Sequence, residues 1–374
     1  MADTSSPADA DRRPLDGIVV IETAAFLTGP YAAMMLADLG ADVIKVEPPG
    51  GDVFRRFGHN RKGYGATWTN ANHGKRSIVI DLKTPEGLAR LKALIAKADV
   101  LVENWRPRVS ESLGLQHEVL AKINPRLIRL SINGFGDTGP LVNAPAFDSL
   151  IQGRTGLIMA EARNGEPSVT PFNMVDKVTA SLGVQAVLAA LFERERTGRG
   201  GHVKLPMLDA LGYFNFPDMY QHRTFQGDTS DWKPPQQQVM RTADGYLVIS
   251  PANGAQMSKT LNAIDRAAWK EDLKKMPDPV LMAEEFFRRV GAVVATRNTA
   301  HWLKLFEEFD VPAAPVVAID AFLDDPQVIH NRIFSEVDSP VGPIRAVRYP
   351  ASFDGRLLPP RSGPPAIGEH DQEI

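Results

Sequence analysis

The chain has 374 residues, 43% of them hydrophobic, a net charge of −3 and no cysteine. That much apolar material fills one large core or two, and length alone suggests two or three domains. The near-neutral balance argues against broad nucleic-acid or membrane-surface binding, which needs a basic face, and the missing cysteine removes disulfides, thiolate metal sites and a cysteine nucleophile.

In chain order, the leading MADTSSPADADRRP lacks the basic-then-apolar layout of a signal peptide and reads as a short disordered tail. No apolar run approaches the ~20 residues of a bilayer span. With cysteine absent, a cytoplasmic location is the expectation. GIVVIE (17–22) reads as a strand and GPYAAMMLADLG (29–40) as a helix ended by Gly40. DVIKVE (42–47) and SIVIDL (77–82) are further strands. TPEGLARLKALIAKA (84–98) is a helix, with Thr84 suited to the N-cap, Pro85 to the first helical position, and apolar residues at helical spacing. DVLVEN (99–104) and LIRLSI (127–132) are two more buried strands. Val- and Ile-rich strands alternating with helices predict a parallel α/β sheet.

A long apolar helix follows Asp176, KVTASLGVQAVLAALFERER, and is stopped by TGRGG (197–201). HVKLPMLDA resumes a strand. DTSDWKPPQQQ (228–238) looks like a linker. A smaller region follows, with a strand in DGYLVIS (244–250) and amphipathic helices such as MAEEFFRRVGAVVA (282–295). From Asp310 onward, VPAAPVVAI (311–319) and PIRAVRYP (343–350) are short strands that could return to the first domain.

The first strand is followed by ETAAFLTGP, not G-x-G-x-x-G, so the close backbone approach to a pyrophosphate is not encoded. HGKRS lacks the upstream glycine of a phosphate-binding loop, since Thr69 stands there. The eight histidines show no ligand spacing and no metal site is expected; no G-x-S-x-G elbow exists. Carboxylates and basic residues remain. Asp176, at the mouth of the long helix, reads as an N-cap. The same place suits a nucleophile: a helix N-terminus lowers a carboxylate pKa and keeps it ionised, and the neighbouring N–H groups could hold an oxyanion. Asp148, in PAFDSL, is a second acid at a helix start. Lys83 could meet a phosphate or simply face solvent. Asn104, Trp105 and Arg106 follow a strand end, where ligands gather in open α/β sheets, although Trp105 serves equally as packing.

The residues then match a known pattern. GPYAAMMLADLGADVIKVEPPGGD, GKRSIVIDLKTPEG, ADVLVENWRP, INPRLIRLSINGFGDTGP, PAFDSLIQGRTG, ERERTGRGGHVKLPMLDA and DVPAAPVVAIDAFLDDPQV occur in order. Together they make the chain resemble the class III coenzyme A transferases, from Leu15 to about His370. This superfamily also holds formyl-CoA transferases, carnitine CoA-transferases and α-methylacyl-CoA racemases. The resemblance implies a nucleophilic aspartate at Asp176 and an acid near the reacting carbonyl at Asp148. It implies CoA contacts at Phe26, Leu27 and Thr28, at Ile80 and Lys83, and at Asn104, Trp105 and Arg106. The implied fold is a Rossmann-like large domain made from both chain ends (1–215 and 325–374) with a small inserted α+β domain (216–324). The resemblance also implies that two such subunits interlock as a homodimer. No permanent cofactor is implied; acyl-CoA and a small carboxylic acid are the substrates.

The implied reaction passes CoA between acids through an aspartyl mixed anhydride and an aspartyl-CoA thioester. The alternatives are a 2-methylacyl-CoA racemase and a non-catalytic acyl-CoA-binding protein. Racemases of the superfamily use a His-Asp pair where this chain has Phe147-Asp148, so the second acid/base for moving an α-proton is missing. The stretch near 232–246 lacks the glycine run of formyl-CoA transferases. Two basic family positions are Pro48 and Ser112 here.

Overall fold

Five of the Val- and Ile-rich runs become strands of one parallel sheet, and HVKLP supplies the sixth. The computed structural model describes residues 12–162, 166–227 and 239–374. The linker expected at 228–238, most of the leading tail and the first half of the 232–246 stretch lie outside the described residues. Arg12–Pro14 do not belong to a loose tail. The Arg13 side chain is buried and donates to the carbonyls of Asp38 (3.1 Å) and Pro359 (2.8 Å).

The elements run β1 (Val19–Glu22), α1 (Thr28–Asp38), β2 (Asp42–Glu47), β3 (Lys75–Val79), α2 (Pro85–Ile95), β4 (Val100–Glu103), β5 (Ile128–Asn133), α3 (Asp148–Arg154), α4 (Met174–Thr197), β6 (Gly201–Pro206) and α5 (Met207–Met219). The six strands lie in the order β3-β2-β1-β4-β5-β6, all parallel. Side chains alternate between faces, as the two-residue period of a strand requires. Val20, Val43, Val100, Val102, Ile128 and Leu130 pack under α1 and α4. Ile21, Ile44, Val46, Ile78 and Leu101 pack under α2. Burial on both faces is why these strands read as continuous apolar runs. By length and composition α4 could cross a membrane, but Val175, Ala180, Val184 and Val187 bury its inner stripe on the sheet.

Helix α2 forms as its sequence dictates: Thr84 Oγ1 accepts the Gly87 N–H at 3.0 Å and Pro85 opens the first turn. The outer edge of β3 is closed by the far end of the chain. Ser77 N–H donates to His370 Nδ1 (3.2 Å), His370 N–H to Ser77 O (3.0 Å), and Val79 N–H to Asp371 Oδ1 (2.8 Å). An exposed strand edge is a template for unwanted pairing, and these contacts cover it.

The chain divides into two compact units, one of residues up to Gln221 with Arg332–Ile374, the other His222–Asn331; the sequence reading set the boundaries at 215/216 and 324/325. The second unit holds β7 (Met240–Arg241), β8 (Tyr246–Ile249), α6 (Gly254–Ala263), α7 (Pro279–Val294), α8 (Thr299–Glu308) and β9 (Ala313–Pro315). Its antiparallel sheet, β9-β8-β7, shares a core with Phe286, Val290, Trp302 and Phe306. VPAAPVVAI pairs within this second unit, with Ala313 and Ala314 opposite Ile249 and Val248 of β8. The return comes with the hairpin β10 (Phe334–Val337) and β11 (Ile344–Val347).

Candidate active site

In a sheet of order 3-2-1-4-5-6 the chain leaves β1 and β4 in opposite directions, and a crevice opens beyond their carboxyl ends. In this sheet the two loops that flank the crevice are bonded to each other. Asn104 Nδ2 donates to Ala25 O (2.7 Å), and Asn104 Oδ1 accepts the Ala25 N–H (3.0 Å). The loop after β1 is also held from below. Lys45 Nζ, fully buried, donates to Glu22 (2.7 Å) and Ala24 O (3.1 Å). Lys75 Nζ donates to Glu22 (2.7 Å), Asn72 (2.7 Å) and Pro30 O (2.8 Å). Burial pushes the Lys75 ammonium down to about 8 despite the Glu22 charge beside it. Two buried cations thus hold carbonyls at both ends of residues 24–30. Gly29 is required there, since a Cβ on it would sit 2.3 Å from Ala24 Cβ.

The loop so fixed carries Phe26, Leu27 and Thr28 to a cleft of about 900 Å3, whose lining includes Asn104, Arg106, Asp148 and Asp176. Its rim is aromatic: Phe26, in a left-handed conformation (φ 64°), meets Phe147 edge-on at 5.8 Å and Phe54 at 6.0 Å, and Phe54 meets Phe57 at 5.5 Å. Opposite, Phe172 and Asn173 take positive φ in succession (70° and 50°) before α4 begins. Such conformations are uncommon outside glycine, and this double turn delivers the first turn of α4 to the cleft.

Asp176 is not the N-cap. Asn173 occupies that position, and Asp176 is the third residue of α4. Its carboxylate accepts a hydrogen bond from the Thr28 hydroxyl. Asp148 is buried; its Oδ2 accepts the Asp176 N–H (3.1 Å) and its Oδ1 accepts from Gln152 Nε2 (2.6 Å). Gln152, fully buried, also bonds the N–H and carbonyl of Thr170 (both 2.9 Å). The expected lowering of the Asp176 pKa does not hold. Burial, helped by the Asp148 charge and opposed by the Thr28 hydroxyl, pushes it up to about 6. Desolvation of a carboxylate beside a second acid outweighs the one hydrogen bond that favours its charged form. The N–H of Asp176, one of those expected to hold an oxyanion, is already taken by Asp148.

Seven of the ten residues singled out on sequence line this one cleft. Ile80 and Lys83 do not: Ile80 is buried just past β3 and Lys83 is exposed beyond it. Trp105 also lies outside the cleft. It packs on the second core face and lines a separate polar pocket with Glu103, Arg129, Ser131 and His202. Gln152 was missed, although its place four residues after Asp148 on a helix was a usable signal. Phe54, Phe57, Lys45 and Lys75 carried no signal. Among the described residues no cluster of potential metal ligands exists.

Comparison with known proteins identifies the family. The family model CoA-transferase family III matches residues 15–371. The succinate–glutarate CoA-transferase of Agrobacterium fabrum is 34% identical, covering 96% of this chain and 94% of the relative. The succinyl-CoA:mesaconate CoA-transferase of Haloarcula hispanica is 32% identical over 96% and 95%. A crystal structure of a CAIB/BAIF family protein from Brucella suis superposes with a TM-score of 0.83 at 30% identity, covering 97% and 98%. The chain belongs to CoA-transferase family III. It is a CoA-transferase, and CoA thioesters are its substrates.

Proposed function

We propose that this enzyme moves CoA between small dicarboxylic acids, the class named for its succinyl-CoA-dependent relatives, with Asp176 as the covalent carrier. The observation that carries the reading is the placement of the Asp176 carboxylate: it stands in the 900 Å3 cleft, bonded to Thr28 and next to Asp148.

The ionised Asp176 oxygen attacks the donor thioester carbonyl, the C–S bond breaks, and CoA leaves as thiolate with a mixed anhydride behind it. The thiolate attacks the aspartyl carbonyl, freeing the donor acid and forming an aspartyl-CoA thioester. The acceptor carboxylate then attacks that carbonyl and expels the thiolate, which attacks the acceptor acyl carbon and restores Asp176. No net proton is consumed. The mixed anhydride hydrolyses readily and loss of either intermediate to water would waste the thioester, so the phenylalanine rim has a purpose in excluding water. A carboxylate with a pKa of about 6 is largely ionised at neutral pH and more nucleophilic than an ordinary aspartate.

Asn104 and Arg106 would hold the pantetheine arm, with the nucleotide reaching toward Ile80 and Lys83. Phe147, 55% exposed at the position of a racemase histidine, offers no proton, which weighs against the isomerase alternative. Tyr213, Phe214 and Phe216 leave an apolar stretch of α5 uncovered, consistent with a second copy closing over the subunit. The test is Asp176→Ala. Transfer of label between two acids should vanish. Intact mass after acyl-CoA and hydroxylamine should show a hydroxamate on the wild type alone. Full transfer activity in the variant removes the mechanism.

A further inference from the structure

Beside the Asp176 cleft lies a second cavity of about 610 Å3. The two share Leu27, Thr67, Phe172 and Asn173 as walls, so Phe172 and Asn173 form the divide between a chamber and its annexe. Their electrostatics differ. The charged lining of the cleft is Asp148 and Asp176 against Arg106. That of the annexe is His73, Lys177 and Arg345, with no carboxylate. His73 is already bonded to Asp38 at 2.9 Å. Lys177 and Arg345 make no ion pair with any described residue. The Arg345 guanidinium lies 5.9 Å from the Phe334 ring, and Arg345 stands opposite Glu336 in the hairpin register without forming an ion pair with it.

Consecutive residues on a helix point about 100° apart. The first turn of α4 therefore sends Asp176 into the cleft and Lys177 into the annexe. Arg345, on β11, faces the same space from the hairpin. We propose that the annexe seats the far end of the acid being loaded, and that Lys177 and Arg345 receive its second carboxylate. This rests on Asp176 as the carrier, since that fixes where the near carboxylate lies. With Arg106 engaged by the CoA arm, a diacid with one end at Asp176 would meet Asp148 if its other end stayed in the cleft. In the annexe it meets two unpaired cations. Attraction in one place and repulsion in the other together give selectivity for diacids. Ile344, Val347 and Tyr31 supply apolar wall for the methylenes between.

The experiment compares glutarate with valerate, of equal carbon count, as acceptors from succinyl-CoA, at a pH well above the Asp176 acid limb. The common donor cancels in the ratio of the two kcat/KM values. Wild type should prefer glutarate. Lys177→Met and Arg345→Gln should each raise the glutarate KM about tenfold, as loss of one charge-assisted contact does, with kcat and valerate transfer little changed. The double variant should lose most of the preference. An equal loss on both acids, an unchanged preference, or a wild type that uses valerate as well as glutarate overturns the proposal. If Lys177→Met does not fold, Arg345→Gln on the exposed hairpin decides the matter. Absence of a wild-type hydroxamate would sink the carrier reading and the near end's place with it, whereas an unchanged acceptor ratio in the variants would sink the annexe alone, so the two failures are told apart.

Discussion

Thr28→Val removes a single hydroxyl from the site and keeps its shape. In the structure that hydroxyl donates to the Asp176 carboxylate, and it is the one feature that opposes burial and the Asp148 charge in setting the carboxyl pKa near 6. A hydrogen bond to a charged group is worth about 1.5–3 kcal/mol, and one pKa unit about 1.4 kcal/mol. Its loss should raise Asp176 by about one to two units, to roughly 7–8. At pH 7 the ionised fraction would fall from about nine-tenths to between a half and a tenth, so kcat/KM there should drop about two- to tenfold. The decisive assay is the full pH profile with one donor and one acceptor. The acid limb should move up by the stated amount while the alkaline plateau stays within about twofold of wild type. A limb that remains at about 6, or a plateau that collapses with the limb unmoved, refutes the account of Asp176 given above.

Asp176→Asn tests the same environment through stability. A carboxyl raised from 3.8 to about 6 holds its proton longer when folded, so wild-type stability should fall as pH rises from about 4 to 6. The amide should therefore stabilise the protein by up to about 3 kcal/mol at neutral pH and hardly at all below about pH 4. Urea unfolding of both proteins at the two pH values checks this, and an equal difference at both would contradict it. Lys75→Met leaves Glu22 with one cation and strips Asn72 and the Pro30 carbonyl of a donor. The expected cost is about 3–5 kcal/mol, read from the urea midpoint; a cost below about 1 kcal/mol would mean the lysine is not needed to hold the loop. Deleting residues 369–374 removes three hydrogen bonds from β3. It should cost about 2–4 kcal/mol and make the protein self-associate in light scattering.

Local physics was legible where it was decided locally. The sheet could be read because strands buried on both faces are apolar throughout, and α2 because Thr84 and Pro85 mark its start. Asp176 could be placed at a helix mouth. Its ionisation could not, because Thr28 lies 148 positions away and Asp148 lies 28 positions away. Lys45 sits inside a strand run that looks hydrophobic and Lys75 just before one; the parallel pairing of β1 with β2 sets Lys45 beside Glu22, and that of β2 with β3 adds Lys75. VPAAPVVAI left its sheet open because a short strand does not announce which sheet it joins; its partner, β8, lies more than sixty positions earlier. Trp105 shows the converse, an aromatic next to Asn104 that turns to the opposite side of the sheet and packs.

Residue 370 caps a strand residue 293 positions before it. During translation at about 5–20 residues per second, β3 therefore waits roughly 15–60 s for its cover. Throughout that interval the nascent polypeptide presents a bare backbone ladder to its neighbours on the polysome. The cover for this edge is thus one the chain cannot supply until residue 370 has been made.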